Sequence, residues 1–292
     1  MAPTSPRQGV LVTGGGRRLG AAVCEAFARA GWRVWCQYRA SREQALALCA
    51  RLQGEGHDAT AVEADIAAEE SRQALIARIA ASGPLACIVN NASAFEPDTA
   101  LDFDADAALR QIGVNLVAPL SFARLLAKTA TAGDGIDRST IHVLDQKVYN
   151  LNPDYFSYTV SKLALERAVA LQAQALAPAV RICGVAPGIL YPSGPQNEAN
   201  FAKASRANLL RRPIDPADVA RACVFLAETP SVTGTTLCVD NGQHLVPLPR
   251  DIMFVVDELL TPPASPTSCG SAPPQGGAPL RPGEAGSAGA LD

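Results

Sequence analysis

The stretch Val10-Leu11-Val12-Thr13-Gly14-Gly15-Gly16-Arg17-Arg18-Leu19-Gly20 passes from a short apolar run through a glycine-rich turn into residues 19–30, whose composition is helical. Glycine lets the backbone turn tightly and lets a ligand approach the main chain closely. A helix that begins at such a turn presents unpaired N–H groups and the positive end of its dipole, an arrangement suited to a pyrophosphate. Glycines alone are a weak signal, but a turn that follows the first strand and opens the first helix is a strong one. Gly14, Arg17, Arg18, Leu19 and Gly20 are therefore expected to hold the phosphates of a dinucleotide.

Outward from this turn, short β-rich apolar runs alternate with alanine- and leucine-rich helical stretches. Strands are expected near residues 10–13, 33–37, 59–63, 87–90, 140–144, 180–185 and 236–239, and helices near 19–30, 42–52, 69–81, 105–130, 155–176 and 216–227. Such alternation is the mark of a parallel sheet covered by helices. The fold class is α/β: a single-domain Rossmann fold with a doubly wound seven-stranded parallel sheet over residues 9–260, preceded by an arm at 1–8. Residues 261–292 turn to Pro, Gly, Ser and Ala, which cannot bury enough apolar surface to offset ordering, and read as a disordered tail. The apolar stretch Ile252-Met253-Phe254-Val255-Val256 is expected to pack on the domain or on a neighbouring subunit. Residues 188–201, rich in Gly, Pro and Asn, form either a substrate lid or a variable surface loop.

Composition narrows the function. With 48% hydrophobic and 18% charged residues and a net charge of −3, the 292-residue chain suits a soluble globular protein and offers no basic surface for nucleic acid. No apolar run reaches the ~20 residues of a membrane span, and no secretory signal opens the chain, which points to the cytoplasm. The eight cysteines form no CxxC pair and read as small core residues, and the three histidines stand far apart, so no metal site is expected.

The end of the second strand selects the cofactor. Cys36-Gln37-Tyr38-Arg39-Ala40-Ser41 holds no acid to receive a ribose 2′-hydroxyl, whereas Arg39 and Ser41, with Arg17 beside them, can hold a 2′-phosphate. NADPH is favoured, with Tyr38 at the same end of the site. Asp65-Ile66 follows the third strand and can meet the adenine amino group, and Asn91, Ala92 and Ser93 follow the fourth at the crevice where ligands bind. Asn115 is a polar residue inside a largely apolar helix, placed either to satisfy buried backbone groups or to serve the reaction.

A proton donor stands further along. Tyr158 and Lys162 are four residues apart, on one face of a helix, and Asp145 lies thirteen residues before the tyrosine. An ammonium beside a phenol of ordinary pKa ~10 favours its ionised form and makes it usable near neutral pH. Tyr149, Tyr155 and Tyr191 have no lysine four residues on. The pair gains meaning because the glycine-rich turn supplies the hydride source that it needs.

Taken in order, the Thr13-Gly14 turn, Asp65, Asn90-Asn91-Ala92, Asn115, Tyr158 with Lys162, Pro187-Gly188 and Val239-Asp240-Asn241-Gly242 resemble the short-chain dehydrogenase/reductase family over about four fifths of the chain. The resemblance implies that Pro187 and Gly188 also border the cofactor and that the chain assembles as a homotetramer through its two long helices. Arg18 stands where most members have glycine, and Asp145 where most have serine. Both departures, with Asn90-Asn91-Ala92-Ser93-Ala94-Phe95, resemble the pteridine reductases and dihydromonapterin reductases, in which an aromatic residue at the position of Phe95 stacks on the pterin.

Charge supports that branch independently. A serine hydroxyl suits a ketone oxygen, while a carboxylate repels a developing alkoxide; ring nitrogens and amino groups instead give Asp145 hydrogen bonds to accept. Asp145 alternatively salt-bridges Lys147 or Arg18. Arg18 and Phe95 are expected to face the flat ring from opposite sides, although Phe95 also suits an ordinary core. The expected activity is hydride transfer from NADPH to a C=N bond of a dihydropterin, with Tyr158, Lys162 and Asp145 relaying the proton and Asn115 anchoring a water chain. A generalist carbonyl or quinone reductase and a non-catalytic NADP-binding redox sensor remain the alternatives.

Overall fold

A computed structural model describes residues 7–194 and 196–259; the expected tail at 261–292 and most of the arm at 1–8 lie outside the described residues. Seven strands, β1 (Gly9–Val12), β2 (Arg33–Tyr38), β3 (Ala59–Glu63), β4 (Leu85–Asn90), β5 (Ser139–Val143), β6 (Arg181–Pro187) and β7 (Thr236–Val239), form one sheet. The order is β3-β2-β1-β4-β5-β6-β7, with every pairing parallel. All seven strands lie within two residues of the expected spans.

Alternation along β1 shows why both faces must be covered. Val10 and Val12 point into one core with Val23 and Phe27, and Leu11 points into the other with Ile88 and Phe122, all fully buried. Helices α1 (Arg18–Arg29), α2 (Arg42–Gly54) and α8 (Pro216–Glu228) cover the first face, and α3 (Glu69–Ser82), α5 (Ala118–Lys128) and α6 (Phe156–Leu176) the second. Local chemistry sets several of the helix starts. Asp215 accepts a hydrogen bond from the Ala217 N–H and Pro216 opens α8, while Asp104 caps α4 (Ala105–Ile112) by accepting from the Ala107 N–H.

Three features depart from the expected elements. The continuous helix at 105–130 is interrupted: between α4 and α5 a π-helical turn spans Gly113–Val117 and carries Asn115 on its inner side. A short helix α7 (Glu198–Ala204) begins inside the irregular 188–201 segment and runs past its end, and α9 (Ile252–Leu259) forms from the apolar stretch near the C-terminus and packs on α7. Cys238 is exposed on β7, whereas the other six cysteines among the described residues are buried as expected.

The chain runs from β1 outward to β2 and β3, then returns to β4 on the other side and continues to β7. That reversal opens a crevice at the carboxyl ends of β1 and β4, the place where such sheets take ligands.

Candidate active site

A cleft of about 920 Å³ follows the carboxyl edge of the sheet. Its floor is the glycine-rich turn. Gly14 has φ +62°, and a side chain there meets the backbone of Ala92; a Cβ on Gly20 collides with the Gly14 carbonyl oxygen. The cradle is therefore open only because these positions lack side chains. Asn91 ties the turn to β4 by donating through Nδ2 to the Thr13 and Gly14 carbonyls at 3.0 and 3.2 Å, while Thr13 Oγ1 accepts from the Asn91 and Ala92 N–H groups at 3.0 Å. Arg18 holds φ +50°, a costly conformation for a residue with a Cβ, and its guanidinium lies 5.9 Å from the Tyr191 ring centroid.

Most of the expected binding residues border this cleft: Arg17, Arg18, Leu19, Arg39, Ser41, Asp65, Ile66, Ser93, Pro187 and Gly188 all contribute to its wall. Tyr38 does not. It is buried, its phenol donates to Glu63 at 3.3 Å, and it belongs to the core under β2. Side chains alternate along a strand, so the neighbour Gln37 takes the inner place instead. Gln37 Oε1 accepts from the Gly14 N–H at 2.9 Å and its Nε2 donates to the Ala64 carbonyl at 2.7 Å.

Asn115 takes the first of its two expected places and satisfies buried backbone groups. It lies behind the cleft wall, 1% exposed, and its amide is saturated. Oδ1 accepts from the Ala94 N–H at 2.8 Å and from Ser93 Oγ at 3.1 Å; Nδ2 donates to the Ala94 carbonyl at 2.8 Å and to Ser161 Oγ at 3.1 Å. With two donors and two acceptor sites used, the side chain has nothing left for a water chain. It fixes the 93–95 loop against α6, and Asp98, farther along that loop, accepts from the Ser157 N–H at 3.1 Å.

The reactive centre is compact. Tyr158 Oη donates to Asp145 Oδ2 at 2.8 Å, and Asp145 Oδ1 accepts the Lys147 backbone N–H at 2.8 Å. Lys162 Nζ donates to the Val143 carbonyl at 2.7 Å and stands 5.7 Å from the Tyr158 ring centroid. Burial raises the Asp145 carboxyl above its ordinary value, against the pull of its hydrogen bonds and of the Lys147 and Lys162 ammonium groups. Burial, then the charge of Asp145 and the hydrogen bond to it, push the Tyr158 phenol well above its usual value. Burial first and the nearby carboxylate second thus favour the protonated phenol, against the ionisation that Lys162 is expected to promote. Burial brings Lys162 down to about 8, opposed by Asp145.

Phe95 stacks on Tyr155 with centroids 4.1 Å apart at 23°, and meets the Tyr158 ring edge-on at 4.7 Å. It remains 38% exposed and borders the cleft, so it is not an ordinary core residue. The alternative salt bridge from Asp145 to Lys147 is not formed: Lys147 Nζ donates to the Asp154 carbonyl at 2.8 Å and to Asp251 Oδ2 at 3.2 Å. Leu248, Asp251 and Ile252 border the cleft and were not expected there, while Tyr191 brings in the 188–201 segment read as a lid or a surface loop. No local spacing signals them; they reach the site by tertiary packing. Among the described residues no group of three or more His, Cys, Asp or Glu side chains is placed to hold a metal ion, and no helix is long and apolar enough to cross a membrane.

The chain is similar to known oxidoreductases. The family model described as enoyl-(acyl carrier protein) reductase matches residues 15–244. An uncharacterized oxidoreductase of Mycobacterium tuberculosis is 33% identical over 244 residues, covering 80% of this chain and 90% of that protein. Dihydromonapterin reductase of Citrobacter koseri is 29% identical, covering 81% and 96%. Among solved structures, FolM alternative dihydrofolate reductase 1 from Brucella suis in complex with NADP has a TM-score of 0.77 and 34% identity, covering 81% of this chain and 95% of that one.

Proposed function

The chain belongs to the short-chain dehydrogenase/reductase family, and from that premise we propose that it is an NADPH-dependent pterin reductase, acting on a C=N bond of a dihydropterin. The reading rests above all on one observation: a half-buried carboxyl, Asp145, accepts the Tyr158 hydroxyl at 2.8 Å at the place where a ketone reductase needs a neutral donor. The names of the Citrobacter koseri and Brucella suis proteins support the same substrate class.

The residues fit the cofactor. The cradle that a Cβ on Gly14 or Gly20 fills, at the N-terminus of α1, suits a pyrophosphate, with Arg17 and Arg18 at its rim. Arg39 and Ser41, both on the cleft wall, suit a 2′-phosphate, and Asp65 with Ile66 suits the adenine. Asn91, Ala92, Ser93, Lys162, Pro187 and Gly188 border the opposite end, where the nicotinamide belongs. When bound, the cofactor supplies the hydride.

Protein groups do the rest. Arg18 and the free face of Phe95 hold a flat ring, an aromatic stack being worth about 0.5–1.5 kcal/mol beyond burial. Tyr158 and Asp145 hold a proton between them and give it to the ring nitrogen as the neighbouring carbon receives hydride, so that C=N becomes CH–NH with the charges balanced. Lys162, anchored on Val143, keeps positive charge beside the pair and restrains the proton's direction of travel. Asn115 acts by holding the 93–95 loop in place.

The test is NADPH oxidation against a panel of dihydropterins, dihydrofolate, simple ketones and quinones. Saturable turnover of a dihydropterin with inert ketones is the expected result. Turnover confined to ketones or quinones overturns the reading.

A further inference from the structure

The C-terminal segment does more than cover the fold. Asp154, just before α6, accepts Arg250 Nε at 2.9 Å and Arg250 Nη2 at 2.6 Å, and also accepts the Asp251 backbone N–H at 2.7 Å. Tyr155 follows it in a left-handed conformation at φ +56°, with its hydroxyl 3.6 Å from Met253 Sδ. A strap at 250–256 is thereby pinned to the start of the helix that carries Tyr158 and Lys162. Its Asp251 carboxylate reaches the Lys147 ammonium at 3.2 Å.

That contact supplies the anionic partner of a buried cation, beside the Asp154 carbonyl. Lys147 is 3% exposed and sits two residues after Asp145, whose carboxylate it already touches through its backbone N–H. An ammonium at such depth needs an anionic or carbonyl partner. Lys147 Nζ has one of each, the Asp154 backbone carbonyl at 2.8 Å and the Asp251 carboxylate at 3.2 Å; the Asp154 carboxylate is taken up by Arg250 and by the Asp251 N–H, so without Asp251 the carboxylate left near this turn is Asp145. We propose that Asp251 is a positioning residue: it draws the Lys147 ammonium toward the strap and so leaves the Asp145 carboxyl free to share a proton with Tyr158 and the substrate.

The inference rests on the proposed role of Asp145 in proton transfer. Tyr158 and Lys162 face Asp145 from α6, Lys147 faces it from its own turn, and Asp251 acts on it through Lys147 and Tyr158. Arg18 and Glu96 border the same cleft from the glycine-rich turn and from the loop after β4. Of these groups, only Lys147 is divided between Asp145, by its backbone, and Asp251, by its side chain.

The experiment compares pH profiles of kcat/KM for dihydropterin reduction in the wild type, Asp251→Asn, Asp251→Glu, Lys147→Met and the Asp251→Asn/Lys147→Met double variant. Asp251→Asn keeps the backbone N–H that binds Asp154, so the strap stays pinned. Its ammonium turns to Asp145 and holds it ionised, and the limb on which activity falls with rising pH moves to lower pH. Asp251→Glu retains the wild-type limb, and the double variant restores it. A limb unmoved in folded Asp251→Asn, or one that stays low in the double variant, overturns the proposal; so does a limb moved to lower pH in Lys147→Met alone. Infrared titration of the protonated carboxyl stretch, assigned by its loss in Asp145→Asn, reads the same shift without substrate. If the wild type reduces no pterin, the functional reading falls while this titration still decides the role of Asp251.

Discussion

Tyr158 donates its phenolic hydrogen to Asp145 Oδ2 at 2.8 Å, and the two residues form one partly buried proton-holding pair. Such a pair titrates as a unit, and its activity-linked pKa values belong to both groups. Burial raises Asp145 and raises Tyr158, so both neutral forms persist to higher pH than for free side chains. Tyr158→Phe removes the transferable proton and leaves the phosphate cradle untouched. A fall in kcat of about 10² to 10⁴-fold is expected, with NADPH affinity by fluorescence titration nearly unchanged.

Arg39 lies exposed on the cleft wall after β2, beside Ser41 and with no acid in that stretch. Charge-assisted bonds to a phosphate contribute about 1.5–3 kcal/mol each. Arg39→Ala is expected to weaken NADPH binding by about tenfold to a hundredfold and to leave NADH binding where it was. Equal loss for both cofactors, measured by titration, counts against a 2′-phosphate site.

His142 gives the stability profile an acid limb. It is fully buried in β5, with Nδ1 3.1 Å from Asn90 Nδ2 and Nε2 3.1 Å from Gln172 Oε1, the pattern of a neutral ring protonated on Nε2. Burial pushes its pKa down from 6.5 to about 4. The folded state therefore binds its proton later than the unfolded state as pH falls. Stability from this group is complete above 6.5 and is lost as pH drops toward about 4, to the extent of roughly 3 kcal/mol. Melting temperatures across that window should fall in the wild type, and more shallowly in His142→Gln.

Assembly is predicted from the two long helical segments. Leu109 on α4 and Leu171 on α6 are each 65% exposed, and Val117 and Val160 add to the uncovered apolar surface. A second copy of the chain is the expected cover. Light scattering should report a homo-oligomer, a tetramer on the family's pattern, and Leu109→Glu with Leu171→Glu should shift it toward monomer.

Much of this architecture is legible in the chain because its signals are local. A buried parallel strand is a short apolar run, and the cradle is glycine at fixed places before a helix, so the sheet and Gly14 to Gly20 can be read directly. Tyr158 and Lys162 follow from helical spacing. What escapes is set by long-range packing. Asp154 and Arg250 are ninety-six residues apart, and nothing near either one announces the clamp. The run Ile252–Val256 is apolar throughout, so its period distinguishes neither helix nor strand. Tyr38 turns into the core and Gln37 toward the cradle, because one step along β2 moves a side chain to the opposite face. Asn115 has the right type for proton relay, but its four bonds are spent on the 93–95 loop and Ser161, which only the π-helical turn reveals.

The most direct measurement is the ratio of kcat/KM for a dihydropterin to that for a simple ketone, in the wild type and in Asp145→Ser. The wild type should strongly favour the dihydropterin, and the substitution should collapse the ratio by removing pterin turnover while NADPH still binds. A wild-type preference for the ketone, or a ratio unchanged by Asp145→Ser, contradicts the claim that this carboxyl directs the reaction to nitrogen.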